Sequence, residues 1–122
     1  MSAKRITGSF VAIITPFNKD GSVDFEAFRS LLKFHQDNGT AAILIMGSTG
    51  ETSMLSPEEK KQIIVETAKM KTAAMPIFYG CTGNNTDSTI ANVKFAKDNG
   101  ADGAILAAPA YICAPEADIE GF

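Results

Sequence analysis

Two hydroxyl side chains between two glycines are the clearest candidate for binding chemistry in this 122-residue sequence. The segment Gly47-Ser48-Thr49-Gly50-Glu51 follows an apolar run at 41–46 that is typical of a buried strand. Glycines let the backbone turn tightly, so that successive N–H groups can point into one concavity. With the hydroxyls of Ser48 and Thr49, such a loop suits a small anion, a carboxylate or a phosphate. The alternative is a plain glycine-rich turn; the segment is neither a P-loop nor a dinucleotide-binding fingerprint.

A second candidate is the tyrosine of Pro109-Ala110-Tyr111, which follows another short apolar run at 103–107. A phenol that is hydrogen-bonded to another hydroxyl can relay a proton. On a barrel, both loops would lie at the carboxyl ends of strands, where the loops of several strands converge. The alternative is a tyrosine that packs in a loop or an interface.

The composition argues against several other classes of function. A net charge of −3 supplies no basic surface, so nucleic acid is not an expected partner. A single histidine and the absence of a His/Cys/Asp cluster argue against a metal site. Cys81 and Cys113 lack C-x-x-C spacing and are expected to be reduced thiols in a cytoplasmic protein. No apolar run approaches the ~20 residues that span a bilayer, so no membrane partner is expected.

Four strand–helix units are predicted to position these loops. The apolar runs predict strands at 9–15, 41–46, 76–79 and 103–107. Alternating β and α segments predict a parallel sheet, in either a barrel or a doubly wound arrangement. The last residues, 114–122, have the pattern of a helix start, with proline followed by acidic residues.

Each helix has an N-terminal signal. Asp24 is the expected N-cap of the first helix, and Ser56 with Glu59 forms the capping-box pattern of the second. The third helix is expected to begin at Thr86. Helical spacing predicts an inward face on it at Ile90, Val93 and Ala96.

Together these residues resemble the dihydrodipicolinate synthase and N-acetylneuraminate lyase family of pyruvate-dependent aldolases. The resemblance rests on 8–17, on 47–60 and on 101–111, and it spans the first half of a family member. It implies an α/β fold, the N-terminal half of a TIM (β/α)8 barrel with about four βα units. Residues 1–122 are therefore expected to form a single half-barrel domain, from the first strand to the start of the fourth helix, without the C-terminal half.

The resemblance also implies roles for the candidate residues. Ser48, Thr49 and Gly50 correspond to the loop that holds the carboxylate of pyruvate, and Ser48 to a hydroxyl of the proton relay. Tyr111 corresponds to a relay tyrosine that reaches across a dimer interface into the neighbouring site. Ser48 and Tyr111 are thus the expected catalytic residues, and the implied reaction requires neither a metal nor another cofactor.

The lysine that forms a Schiff base with pyruvate in this family has no counterpart here. A Schiff base needs an amine of lowered pKa beside the bound keto acid. None of the nine lysines lies in a predicted strand: Lys4, Lys19, Lys33, Lys60, Lys61, Lys69, Lys71, Lys94 and Lys97. The chain alone is therefore expected to be inactive.

Family members that are inhibited by lysine hold this effector in an interface pocket. Ser88 and Ala110 stand where sensitive enzymes carry Glu and Tyr, and Lys60 adds a charge that repels a cationic ligand. We therefore expect a pocket that does not respond to lysine. The corresponding positions here are Thr52, Ser53, Lys60, Asn84, Ser88 and Ala110.

The function implied for the complete protein is a carbon–carbon lyase or synthase. It condenses pyruvate with aspartate semialdehyde through a Schiff base, in the biosynthesis of diaminopimelate and lysine. Two alternatives stay open: an aldolase of the same family that cleaves N-acetylneuraminate or a 2-keto-3-deoxy sugar acid, and a non-catalytic half-barrel that binds small carboxylates or associates with itself. Because the fourth strand would be an uncovered edge, a homo-oligomer or pairing with a C-terminal half is expected.

Overall fold

Four parallel strands form one sheet in the order β1-β2-β3-β4. The structure, a computed structural model, describes residues 5–108. The strands are β1 (Phe10–Ala12), β2 (Ala42–Ile45), β3 (Ile77–Gly80) and β4 (Gly103–Ile105). The helices are α1 (Phe25–Asp37), α2 (Pro57–Ala68) and α3 (Thr86–Asp98). Each helix connects two neighbouring parallel strands, which confirms the predicted α/β arrangement.

Side-chain caps fix where these three helices begin. Asp24 accepts a hydrogen bond from a backbone N–H of the first turn of α1. Ser56 and Glu59 form a reciprocal capping box at α2, as predicted. Asn85 and Ser88 form a second capping box at α3, which begins at Thr86. Short polar side chains therefore set each helix entry where the parallel strands need a crossover.

The two faces of the sheet are covered differently. One face packs against the helices and holds the core, since Ile43, Ile77 and Tyr79 are almost completely buried beneath Phe28 and Ile63. The opposite face carries Phe10, Ile14, Phe78 and Ile105, of which Ile14 is 55% exposed. This second face is the one that would lie inside a barrel. Within residues 5–108, no helix has both the length and the apolarity needed to cross a membrane.

Three of the predicted details are wrong. β1 and β4 are shorter than the apolar runs that predicted them, although Ile13 N–H still donates to the Leu44 carbonyl beyond the end of β1. On α3, Ile90 is 45% exposed, whereas Thr89 and Ala96 are buried. The Thr89 hydroxyl accepts from Gly83 N–H at 2.9 Å, and this polar anchor turns Thr89 towards the sheet instead of its neighbour Ile90.

Candidate functional site

The loop 47–51 leaves the carboxyl end of β2 with an abrupt change of direction. Met46 is buried and has a φ of 60°, and Glu51 has a φ of 56°. Non-glycine residues rarely occupy this left-handed region, and each such residue costs free energy that the surroundings must offset. Ser48–Gly50 form one turn of 3-10 helix between these two residues. The loop is therefore a defined and strained turn at the carboxyl edge of the sheet.

Backbone hydrogen bonds within the loop set the direction of its free N–H groups. Gly50 N–H donates to the Gly47 carbonyl at 3.1 Å, and Glu51 N–H donates to the Ser48 carbonyl at 3.0 Å. In a trans peptide the C=O and the following N–H point in opposite directions. The N–H groups of Ser48 and Thr49 therefore point away from the turn, on the same side.

These two N–H groups and the two hydroxyls are available to a ligand. In the part of the chain that the structure describes, no hydrogen-bond partner occurs for the N–H or the hydroxyl of Ser48 or Thr49. Both residues are exposed, whereas Gly50 beneath them is buried. The loop thus presents four hydrogen-bond donors on neighbouring residues, which is a suitable arrangement for one carboxylate group.

A close backbone contact with β3 supports the loop. A Cβ atom at Gly80 would collide with the Met46 carbonyl, so only glycine fits at this position. Gly80 ends β3, and Met46 directly follows β2. The strained Met46 backbone is therefore packed against the neighbouring strand. No local pattern of residues predicts this contact, because the close approach depends on the register of two strands.

Four of the six positions that correspond to the family's lysine pocket lie around one cleft of ≈ 650 Å³ between α2 and α3. They are Thr52, Lys60, Asn84 and Ser88. Ser53 does not line this cleft, and Ala110 lies outside the described residues. The cleft lies on the helix side of the sheet and touches the Ser48 loop only through its neighbours Met46 and Thr52.

Among the described residues, the charged side chains that line this cleft are positive. Lys60 and Lys61 line it, and none of its lining residues within 5–108 is a carboxylate. The Lys61 ammonium lies 5.8 Å from the centre of the Phe95 ring, while no ion pair of Lys60 occurs among residues 5–108. The Ser88 hydroxyl already donates to the Asn85 carbonyl at 3.0 Å as part of the helix cap. The cleft therefore offers a cationic ligand no anionic partner.

The tyrosine, the thiol, the lysines and possible metal ligands add no further catalytic group to the loop 47–51 within the described residues. Tyr111 lies outside the described residues. Burial raises the pKa of the Cys81 thiol to about 11, so that this thiol stays protonated and unreactive at neutral pH. Within residues 5–108, no lysine lies in a strand and no group of three His, Cys, Asp or Glu side chains could hold a metal ion.

Known proteins resemble this chain over nearly all of its length. Residues 5–122 match the model of the Dihydrodipicolinate synthetase family. The chain is 40% identical over 111 residues to the 4-hydroxy-tetrahydrodipicolinate synthase of Alcanivorax borkumensis and 44% identical over 104 residues to that of Aquifex aeolicus. These alignments include 91% and 85% of this chain but only 38% and 35% of the two relatives. The chain thus spans less than half the length of the curated relatives that it matches.

Solved structures agree with this assignment. The chloride-inhibited dihydrodipicolinate synthase from Acinetobacter baumannii, complexed with pyruvate, superposes with a TM-score of 0.90 at 40% identity, over 96% of this chain and 40% of that one. The lysine-bound enzyme from Cyanidioschyzon merolae superposes with a TM-score of 0.88 at 26% identity, over 97% of this chain and 41% of that one. The half-barrel architecture expected from the sequence is confirmed by these matches. On its sequence and its fold, the chain belongs to the dihydrodipicolinate synthetase family.

Proposed function

We propose that this chain supplies the pyruvate-carboxylate site of a Schiff-base aldolase, in which residues 1–122 form the N-terminal half of the barrel. The observation that carries the proposal is the set of four donors on Ser48 and Thr49, at the carboxyl end of β2, that have no partner within residues 5–108. Loops at this end of parallel barrel strands form the active site in enzymes of this architecture. A carboxylate bound here would place its keto group above the sheet, within reach of residues from the other strands.

The reaction proposed for the complete protein is the condensation of pyruvate with aspartate semialdehyde. Three relatives that the chain matches at 40–44% identity are named 4-hydroxy-tetrahydrodipicolinate synthase, which favours condensation over the cleavage of a sugar acid. In this proposal Thr49 binds the carboxylate, and Ser48 binds it and passes a proton on. Tyr111 would be the next hydroxyl of that relay.

The Schiff-base lysine of this proposal comes from outside the chain. The lysines in the described residues lie in the turns and helices at Lys19, Lys33, Lys60, Lys61, Lys69, Lys71, Lys94 and Lys97. None of these positions lies in a strand, so none of these side chains starts from the edge of the sheet where the carboxylate would bind. The same observation favours a second function for the isolated chain, namely reversible carboxylate binding without catalysis.

One sample tests both the carboxylate site and the proposal that the Schiff-base lysine lies outside this chain. The purified chain is dialysed to equilibrium with labelled pyruvate. It is then treated with borohydride, and its intact mass is measured by mass spectrometry. Retention of pyruvate with an unchanged chain mass is expected. Loss of retention in Thr49→Val, but not in the exposed-site control Thr82→Val, would locate the binding in the loop. A wild-type chain that retains no pyruvate would overturn the carboxylate site, and a stoichiometric pyruvyl adduct would overturn the assignment of the lysine.

The sheet edges support a further proposal, that the chain assembles with a second copy or with the remaining units of a barrel. In residues 5–108, β1 pairs only with β2 and β4 pairs only with β3. Exposed edges with an apolar face such as that of Phe10, Ile14 and Ile105 favour association. Light scattering after size exclusion is expected to give a mass above that of one chain, and a monodisperse monomer would contradict the proposal.

A further inference from the structure

We propose that Thr15 is a positioning residue for the carboxylate-binding loop, because its hydroxyl holds the Gly50 carbonyl. Thr15 lies beyond the end of β1 and is only 3% exposed. Its Oγ1 donates to the Gly50 carbonyl oxygen at 2.7 Å, across 35 positions in the sequence. This role rests on the proposed function, since Thr15 acts on a ligand only through the loop 47–51.

The hydrogen bond fixes one peptide plane at both of its ends. The Gly50 carbonyl and the Glu51 N–H belong to the same trans peptide and point in opposite directions. Thr15 holds the carbonyl, and the Glu51 N–H donates to the Ser48 carbonyl at 3.0 Å. The plane is thereby held in the orientation that gives Glu51 its left-handed φ of 56°. The Thr15 bond stabilises a conformation that is costly for a non-glycine residue.

The orientation of this plane is passed to the ligand-facing groups. Because the Ser48 carbonyl is held by Glu51, the Thr49 N–H of the same peptide must point the other way, towards solvent. Loss of the Thr15 hydroxyl would free the 50–51 peptide to rotate. The Ser48 carbonyl would then lose its partner, and the two free N–H groups would no longer be held parallel.

The packing around Gly50 leaves little space for another donor to replace the Thr15 hydroxyl at the Gly50 carbonyl. Gly50 is buried, and a Cβ atom there would lie 3.3 Å from both the Ile13 carbonyl and the Thr15 hydroxyl. The loop is thus seated on the end of β1 with little free space. In the part of the chain that is described, no other donor reaches the Gly50 carbonyl. A buried carbonyl without a donor is costly, so the loop would move towards water.

Three variants test the assignment by their affinity for pyruvate in equilibrium dialysis. Thr15→Val keeps the shape of the side chain without the hydroxyl, and its dissociation constant is expected to rise about tenfold. Thr15→Ser keeps the hydroxyl and is expected to restore the affinity of the wild type. Thr67→Val is the matched control, because it also removes a buried threonine hydroxyl, one that donates to the Ile63 carbonyl within α2 and makes no hydrogen bond to the loop 47–51. Wild-type affinity in Thr15→Val, or an equal loss in Thr67→Val, would overturn the role.

Two measurements on ligand-free protein separate this inference from the proposed function. The amide signals of Ser48 and Thr49 are expected to shift in Thr15→Val but not in Thr67→Val, whether or not pyruvate binds. If Thr15→Val fails to fold, a measurement on the wild type still tests the hydrogen bond from Thr15 to Gly50. Exchange of the Thr15 hydroxyl proton for deuterium is expected to shift the carbonyl carbon signal of Gly50, and the absence of this shift would overturn the assignment.

Discussion

The hydroxyl groups of Thr67 and Tyr79 lie 2.8 Å apart in the core and join α2 to β3. Thr67 donates its own proton to the Ile63 carbonyl at 2.6 Å, so the Tyr79 hydroxyl is the donor of the shared bond. Both residues are completely buried. This polar pair lies directly beneath the strand whose last residue, Gly80, supports the candidate site.

Removal of the tyrosine hydroxyl is expected to destabilise the chain less than removal of the threonine hydroxyl. Tyr79→Phe loses one hydrogen bond but leaves Thr67 paired with Ile63, at a cost of about 1 kcal/mol. Thr67→Val leaves the buried Tyr79 donor only its longer contact of 3.5 Å with the Ile64 carbonyl, at a cost of about 2 kcal/mol. Urea unfolding of both variants measures the difference. Equal losses, or a larger loss in Tyr79→Phe, would contradict this account of the pair.

Alkaline pH is expected to weaken the fold through the same tyrosine. Burial raises the pKa of Tyr79 from 10.0 to about 12, and thus the folded state favours the protonated phenol. The contribution of Tyr79 protonation to the free energy of unfolding is therefore fully present below pH 10 and is lost between pH 10 and 12. The loss amounts to up to about 3 kcal/mol. Burial likewise raises the pKa of Cys81 from 9.0 to about 11, which adds a loss between pH 9 and 11.

The two groups can be separated by substitution. Urea midpoints of the wild type are expected to fall more steeply above pH 10 than those of Tyr79→Phe, since this variant cannot ionise there. The other ionisable groups are common to both proteins and cancel in the comparison. Parallel curves for the two proteins would show that Tyr79 ionises with an ordinary pKa.

Gly80→Ala is expected to be the most damaging single methyl addition near the site. Its Cβ would collide with the Met46 carbonyl, and the clash is expected to cost about 3 kcal/mol or more. Gly47→Ala is the matched control on the same junction, because its Cβ would meet only the flexible end of Leu44 at 3.1 Å. Thermal unfolding should rank Gly80→Ala well below Gly47→Ala, and the reverse order would refute the close approach.

Lysine is expected to leave the chain unchanged at millimolar concentration. In the part of the chain that the structure describes, the α2–α3 cleft is lined by Lys60 and Lys61 and by no carboxylate, so a cationic ligand meets like charge. Isothermal titration with lysine should give no binding heat in the wild type and none in Lys60→Gln. A sub-millimolar dissociation constant would show that the cleft recognises lysine despite its charge.

Local rules accounted for the parts of the structure that depend on neighbouring residues. The caps at Asp24 and Ser56 were predictable because each is a short polar side chain that bonds to the backbone within three positions. The parallel α/β order followed from alternating apolar runs. The bounds of β1 and β4 could not be predicted from these runs, because apolar residues continue past the point where the hydrogen bonding between the strands ends.

Features of the candidate site that depend on contacts between residues far apart in the sequence could not be predicted from the sequence. The Ser48 and Thr49 loop was found from its residue types, but its strain at Met46 and Glu51 depends on how β2 packs beside β3. The contribution of Thr15 requires two segments 35 positions apart to meet. On α3, the polar bond of Thr89 overrode the apolar spacing that pointed to Ile90.

The most direct test of the account is a map of pyruvate binding by amide NMR signals of the labelled chain. Saturable shifts are expected at Ser48 and Thr49, with none at Asn84 or Ser88 in the α2–α3 cleft. Pyruvamide, which lacks the carboxylate charge, is expected to leave all four signals in place. Shifts confined to the cleft, or no shifts at all, would contradict the claim that this loop is a carboxylate site.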